Sequence, residues 1–131
     1  MKKKNNNKIL ALISLLLFLP LLSGCFSAPA TNQSPTITSI SVLPVSMAIK
    51  KGQSQTIDSI TAYYRNELPA NIELNACTYQ SNVTDVTATN GVIKVSSICV
   101  ATSATITVSY TESGVTKSDT VNVTITCGCG G

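Results

Sequence analysis

From Thr36 to Thr126 alternation of apolar side chains with period 2 appears repeatedly, and no stretch there holds a helical repeat for ten residues. Period 2 sends successive side chains to opposite faces, so such a chain folds into strands with one buried face. The alternating sets are Ile40 and Val42; Met47 and Ile49; Ile60, Ala62 and Tyr64; Ile72, Leu74 and Ala76; Cys77, Tyr79 and Ser81; Ile106, Val108 and Tyr110; and Val121, Val123 and Ile125. Val83 and Val86 flank a shorter segment, and Val92–Val95 adds another. Turn signals separate them at Lys50-Lys51-Gly52, at Arg65–Ala70 with Pro69, and at the pairs Asn90-Gly91 and Ser113-Gly114. Asn-Gly supplies the positive φ angles of a tight hairpin. Six to eight short strands with regular turns predict an all-β sandwich.

Before that region the chain is different. Lys2, Lys3, Lys4 and Lys8 precede an apolar run from Ile9 to Leu22, interrupted by Ser14 and Pro20. This is the basic and apolar layout of a helical secretory signal, and the run is shorter than the ~20 residues of a spanning helix. It ends in Leu22-Ser23-Gly24-Cys25, which resembles the lipobox of bacterial lipoproteins. That resemblance implies cleavage of residues 1–24 and lipidation of Cys25 as the mature N-terminus; the alternative is an ordinary signal followed by a stray cysteine. Several acyl chains would anchor the protein, at ~0.8 kcal/mol per buried CH₂. In two-membrane lipoproteins an Asp after the lipidated Cys resembles an inner-membrane retention signal. Phe26 stands there instead, implying the outer membrane, or the outer face of the plasma membrane in a one-membrane cell. Residues 25–35 then form a small, polar, proline-containing tether that reaches at most ~35 Å.

Cutting the chain changes its charge. The whole sequence carries +3. After residue 24 it keeps Lys50, Lys51, Arg65, Lys94 and Lys117 against Asp58, Glu67, Glu73, Asp85, Glu112 and Asp119, a net −1. No basic stripe remains to neutralise phosphates, which excludes nucleic acid as a partner. The sequence has no His, so Ser-His-Asp and Cys-His catalysis are excluded along with His-bearing zinc sites. The six acids are scattered over turns and exposed positions, without the facing carboxylates of a glycosidase or the spacing of a calcium loop. Alternation turns Tyr64, Tyr79 and Tyr110 inward and leaves Tyr63 as the surface aromatic. The chain is read as non-enzymatic and without a cofactor or metal.

The strand region also carries a family resemblance. Ile40-Ser41-Val42, Lys51-Gly52-Gln53 and Ile60-Thr61-Ala62 are similar to the opening of group 2 bacterial immunoglobulin-like domains, of the invasin and intimin kind. Thr78-Tyr79-Gln80-Ser81-Asn82 resembles their aromatic-containing strand, and Val83-Thr84-Asp85-Val86 and Asn90-Gly91-Val92-Ile93 follow in the same order. Ala104–Tyr110 and Val121-Asn122-Val123 complete the resemblance over residues 36–126. Two departures stand out: Thr102-Ser103 replaces the usual glycine, and about three extra residues between Val95 and Thr102 bring in Cys99. The resemblance implies an immunoglobulin-like Greek-key β-sandwich and a place among surface proteins and adhesins.

Besides Cys25 the sequence holds Cys77, Cys99, Cys127 and Cys129. Export makes pairing the default, and four cysteines allow three full connectivities. In an immunoglobulin-type sandwich Cys99 and the end of the last strand share a pole, with Cys77 at the other. That favours Cys99 with Cys127 or Cys129, worth about 3–4 kcal/mol in the chain-entropy picture. Cys77 as a plain buried thiol and a direct Cys77–Cys99 bridge both remain open. The tail at residues 127–131, Cys-Gly-Cys-Gly-Gly, also raises thiol redox or Cu(I) chemistry.

The expectation is a lipid-anchored binding or adhesion module of the cell envelope. It touches the membrane through its lipid and an unknown protein or polysaccharide through a sheet face or the loops Arg65–Ala70 and Glu112–Lys117. The rivals are a small redox or metal-handling lipoprotein working through the tail, and a structural subunit that assembles through a strand edge.

Overall fold

The computed structural model of the protein describes residues 34–127. They form ten strands: β1 Ile37–Leu43, β2 Ser46–Lys50, β3 Ser54–Thr56, β4 Ser59–Tyr64, β5 Ala70–Ile72, β6 Thr78–Ser81, β7 Val86–Thr89, β8 Val92–Val95, β9 Ser103–Glu112 and β10 Val115–Thr126. One 3₁₀ turn, Leu74–Ala76, lies between β5 and β6. Two of the boundaries are interruptions rather than true turns. β1 and β2 meet at the cis Leu43–Pro44 peptide, and β3 and β4 are separated only by Ile57-Asp58. Joined across these breaks, the ten segments make eight strands, the upper end of the expected number.

The strands form two layers. In one, β2, β10, β9 and β6 lie side by side in that order. In the other, β4 pairs with β1 and β5, and its continuation β3 pairs with β8, which pairs in turn with β7. All pairings are antiparallel except β2 on β10, where Ser46–Lys50 runs parallel to Asn122–Thr126. The chain therefore starts in one layer as β1 and crosses to the other as β2. Asp119 fastens the crossing: Val42 N–H donates to its Oδ2 at 2.8 Å and Thr120 N–H to its Oδ1 at 2.8 Å. The first ties β1 to β10 from opposite layers, and the second holds the carboxylate in place within β10.

The core is the sum of the inward positions. Val42, Ile60, Ile93, Val95, Ile106, Val108, Val121 and Val123 are buried between the layers, with no buried polar or charged residue among them. The alternation of β10 from Val121 to Ile125 is complete, and so is that of β9 from Ala104 to Val108. Ile57, in the gap between β3 and β4, is also buried; its N–H donates to Gly91 O at 2.8 Å, so the gap adds to the core instead of opening it.

One expected strand is not one. Ile72 ends β5, but Leu74 and Ala76 fall in the 3₁₀ turn. Tyr79 Oη donates to Leu74 O at 2.6 Å, and Ala76 N–H donates to Glu73 O at 2.9 Å, so the local backbone finds its partners in a turn. The two hairpin pairs behave as their residues demand. Asn90 and Gly91 have φ of 49° and 81°, and Ser113 and Gly114 have 49° and 78°. Positive φ at both central positions is the type I′ geometry that matches strand twist.

Candidate binding pole

Strand direction sorts the loops into two ends. At the N-terminal pole Arg65 N–H donates to Thr36 O at 3.1 Å, which sets Ser34-Pro35-Thr36 beside the turn after β4. Ile37 pairs with Tyr64 there. Tyr64 is influenced by Glu112 at the tip of the β9–β10 hairpin, so that tip lies at this same end. Both loops expected to make contact, Arg65–Ala70 and Glu112–Lys117, are thus gathered at the pole where the chain arrives from residues 25–35.

A small polar cluster closes the core at this pole. Tyr110 Oη points at Glu112 Oε1 at 3.4 Å, while Glu112 Oε2 is buried with no hydrogen-bond partner. Tyr64 is pushed up to about 12, by burial first and then by Glu112. Tyr110 is raised in the same way, chiefly by burial. Phenols that resist ionisation beside a carboxylate make a rim for the core. They offer no proton near neutral pH, so they are no acid–base pair.

At the C-terminal pole four backbone bonds bring loops together. Lys51 N–H donates to Thr126 O and Gly52 N–H to Val95 O, both at 3.0 Å; Ser96 N–H donates to Asp85 O and Ile125 N–H to Thr102 O, both at 2.8 Å. The segment from Ser96 to Thr102 crosses here from the β8 layer to the β9 layer. Cys99 is its plug, fully buried, with its N–H donating to Ser96 O at 3.2 Å. Its neighbours point the other way: Ile98 is 78% exposed and Val100 is 87% exposed. Beside them runs an open groove of about 610 Å³ lined by Gly52, Thr84, Asp85, Thr87, Lys94, Ser96 and Ser97. The groove is polar with one acid and one base, while the loop beside it is apolar.

The sequence expectations did not single out Ile98 and Val100. The run Ile98-Cys99-Val100-Ala101 is apolar throughout and carries no signal of which side chains face outward; in the fold Cys99 is buried and its two neighbours are exposed. Tyr63 is 41% exposed, as the alternation of β4 requires.

The cysteines divide as the topology predicts, but the described ones are not bridged. Cys77, Cys99 and Cys127 carry free thiols. Cys77 directly precedes β6, whose first residue Thr78 pairs with Ser109; Cys99 precedes Ser103 at the far end of β9. At ~3.3 Å per residue these levels lie about 20 Å apart, well beyond the ~7 Å that a disulfide spans. Both thiols are free, toward opposite ends of β9. Cys127 is exposed and follows β10 at the same pole as Cys99. Cys77 is a buried thiol that desolvation pushes up, which makes it a poor nucleophile. Tyr79 beside it is pushed up to about 12, by burial and then by Cys77. Cys129 lies outside the described residues, as do Leu22, Ser23, Gly24 and Cys25.

Among the described residues no group of three or more Cys, Asp or Glu side chains could hold a metal ion, and no helix is long and apolar enough to cross a membrane. No protein-family model and no curated protein matches the chain. Among solved structures, domains 4 and 5 of the S-layer protein SbsC align with 70% of this chain at 20% identity and a TM-score of 0.47. The aligned part makes up 53% of that structure, so this chain spans about half its length. The protein is an all-β, immunoglobulin-like sandwich, as its own strand order and two-layer core establish.

Proposed function

We propose that the protein is an exported lipoprotein, anchored through Cys25, whose single immunoglobulin-like domain works as a non-catalytic binding module on the cell envelope. The group 2 bacterial immunoglobulin-like resemblance over residues 36–126 belongs to this reading. The observation that carries it is polarity. The chain arrives at one pole, and the exposed apolar pair Ile98 and Val100 and an open groove of about 610 Å³ sit at the other. An anchor at residue 25 would hold the N-terminal pole toward the membrane and turn Ile98, Val100 and the groove outward. The contact surface is accordingly assigned to the C-terminal pole and not to Arg65–Ala70 or Glu112–Lys117. Exposed apolar side chains set on a buried plug are rigid anchors of the kind partner surfaces use.

The test is binding of the full chain to fractionated envelope from the producing cell, with peptidoglycan, polysaccharide and membrane protein scored separately. The double variant Ile98→Ser with Val100→Ser is expected to lose saturable binding, while Leu68→Ser, an equally exposed change at the N-terminal pole, keeps it. Equal binding by both variants would refute the assignment of the pole. The redox alternative acts through Cys127 and Cys129, and the exposed free thiol of Cys127 favours keeping it in view. Substituting both cysteines by serine without any loss of binding would separate that reading from this one.

A further inference from the structure

Edges of sheets pair with other chains unless something prevents it, and natural proteins guard them with charge, proline or brevity. The edges of this sandwich can be compared: β1 gives its Val42 N–H to Asp119 Oδ2, and β3 has only three residues. β2 ends in Lys50 followed by Lys51, and Pro44 stands just before it. Beyond β2 the free margin of β10 carries the half-buried Lys117 and Asp119, and Asp119 itself occupies Thr120 N–H. β5 has three residues and follows Pro69. β7 is four residues long, and Val86 N–H is already given to Val83 O. β6 is as short as β7, but it lacks the other guards: from Leu74 to Thr84 the sequence contains no charged residue and no proline.

The register shows what β6 offers. Asn82 N–H donates to Thr105 O, so Thr78 and Gln80 also bond toward β9. Alternation then turns the N–H and C=O groups of Tyr79 and Ser81 outward. The residue on the two-fold axis of such a pair faces its own copy, so a charge at that position would repel itself. At the centre of the outward-facing Tyr79–Ser81 stretch of β6 that residue is the uncharged Gln80.

We propose that β6 is a self-pairing edge, on which a second copy of this chain docks antiparallel and extends the β2-β10-β9-β6 layer across a two-fold axis. Tyr79 of each copy then lies opposite Ser81 of the other, giving four backbone hydrogen bonds, and Gln80 meets Gln80 at the axis. Antiparallel pairing sets the two N-terminal poles at opposite ends of the dimer. On the lipid-anchored reading above, on which this last step rests, the paired copies belong to two facing membranes.

The experiment uses the full lipidated chain. Sedimentation in mild detergent up to roughly 1 mM protein is expected to show a monomer–dimer equilibrium. Gln80→Lys and Gln80→Glu, which alter an exposed side chain, should each be monomeric. Their equimolar mixture should recover the dimer, which a folding defect could not do. A wild-type chain that stays monomeric, or single variants that still dimerise, would overturn the pairing. The same proteins in phosphatidylethanolamine–phosphatidylglycerol vesicles test the orientation: wild type clusters vesicles, and Lys-variant vesicles cluster only with Glu-variant vesicles. Dimerisation in detergent without clustering would overturn the anchored orientation and leave the edge pairing standing.

Discussion

Gly91 and Gly114 occupy the same turn position in two type I′ hairpins, with φ of 81° and 78°, but their surroundings differ. An added Cβ at Gly114 meets nothing within 4 Å. At Gly91 it would lie 2.6 Å from Leu74 Cδ1 and 3.1 Å from Leu74 Cβ and Cγ. Gly114→Ala therefore tests backbone strain alone, which costs ~1–2 kcal/mol for a residue with a Cβ in the left-handed region. Gly91→Ala pays the same strain and also pushes into a side chain. Rotating Leu74 relieves the contact with Cδ1, but the one with Cβ is relieved only by moving the 3₁₀ turn. Overpacking of that kind adds ~1–3 kcal/mol. The two variants should differ in urea unfolding by about 1–3 kcal/mol, with Gly91→Ala the less stable. Equal losses would mean that Leu74 does not rest on the β7–β8 hairpin, and the placing of the 3₁₀ turn would be wrong.

Asp119→Ala leaves Val42 N–H without its acceptor beside a fully buried side chain, a loss of about 1–3 kcal/mol in thermal or urea unfolding; no loss would show that the layers do not depend on this bond. Tyr79 supplies a pH prediction. Its folded value of about 12 lies above the ordinary ~10 of an unfolded chain, so the native state holds the extra proton between those values. Stability is accordingly full below about pH 10 and falls as pH rises from ~10 toward 12, and Tyr79→Phe should flatten that fall. A maleimide should label Cys127 in the native protein and reach Cys77 and Cys99 only after unfolding, which peptide mass mapping reads directly; native labelling of Cys99 would contradict its place as the plug.

Much of the fold was legible because strands announce themselves by period. β9 and β10 follow their alternating sets, and the Asn90-Gly91 and Ser113-Gly114 turns fall where residues tolerant of positive φ stand. Leu74 and Ala76 misled because alternation over three positions is too short to distinguish a strand from a turn closed by a distant hydroxyl. The bond from Tyr79 Oη to Leu74 O cannot be seen from the spacing of apolar residues. Ile57 escaped for a related reason, since it lies between alternating sets and gains its burial from Gly91 across the layer. The proposed binding pole was less legible than the fold. Loop sequences around Arg65 and Glu112 read as exposed and polar, yet which end of the sandwich they share with the arriving chain depends on strand direction. Ile98 and Val100 are ordinary core residues by type. Only the burial of Cys99 between them turns both outward.

An anchored chain with its domain held outward must have a processed, acylated N-terminus, and that end tests the arrangement most directly. Intact mass and N-terminal peptide analysis of the protein extracted from membranes should find a chain that begins at Cys25 and carries acyl groups, with Cys25→Ser abolishing both processing and membrane retention. A chain that keeps residues 1–24, or begins elsewhere without lipid, would contradict the anchor and with it the assignment of the outward pole.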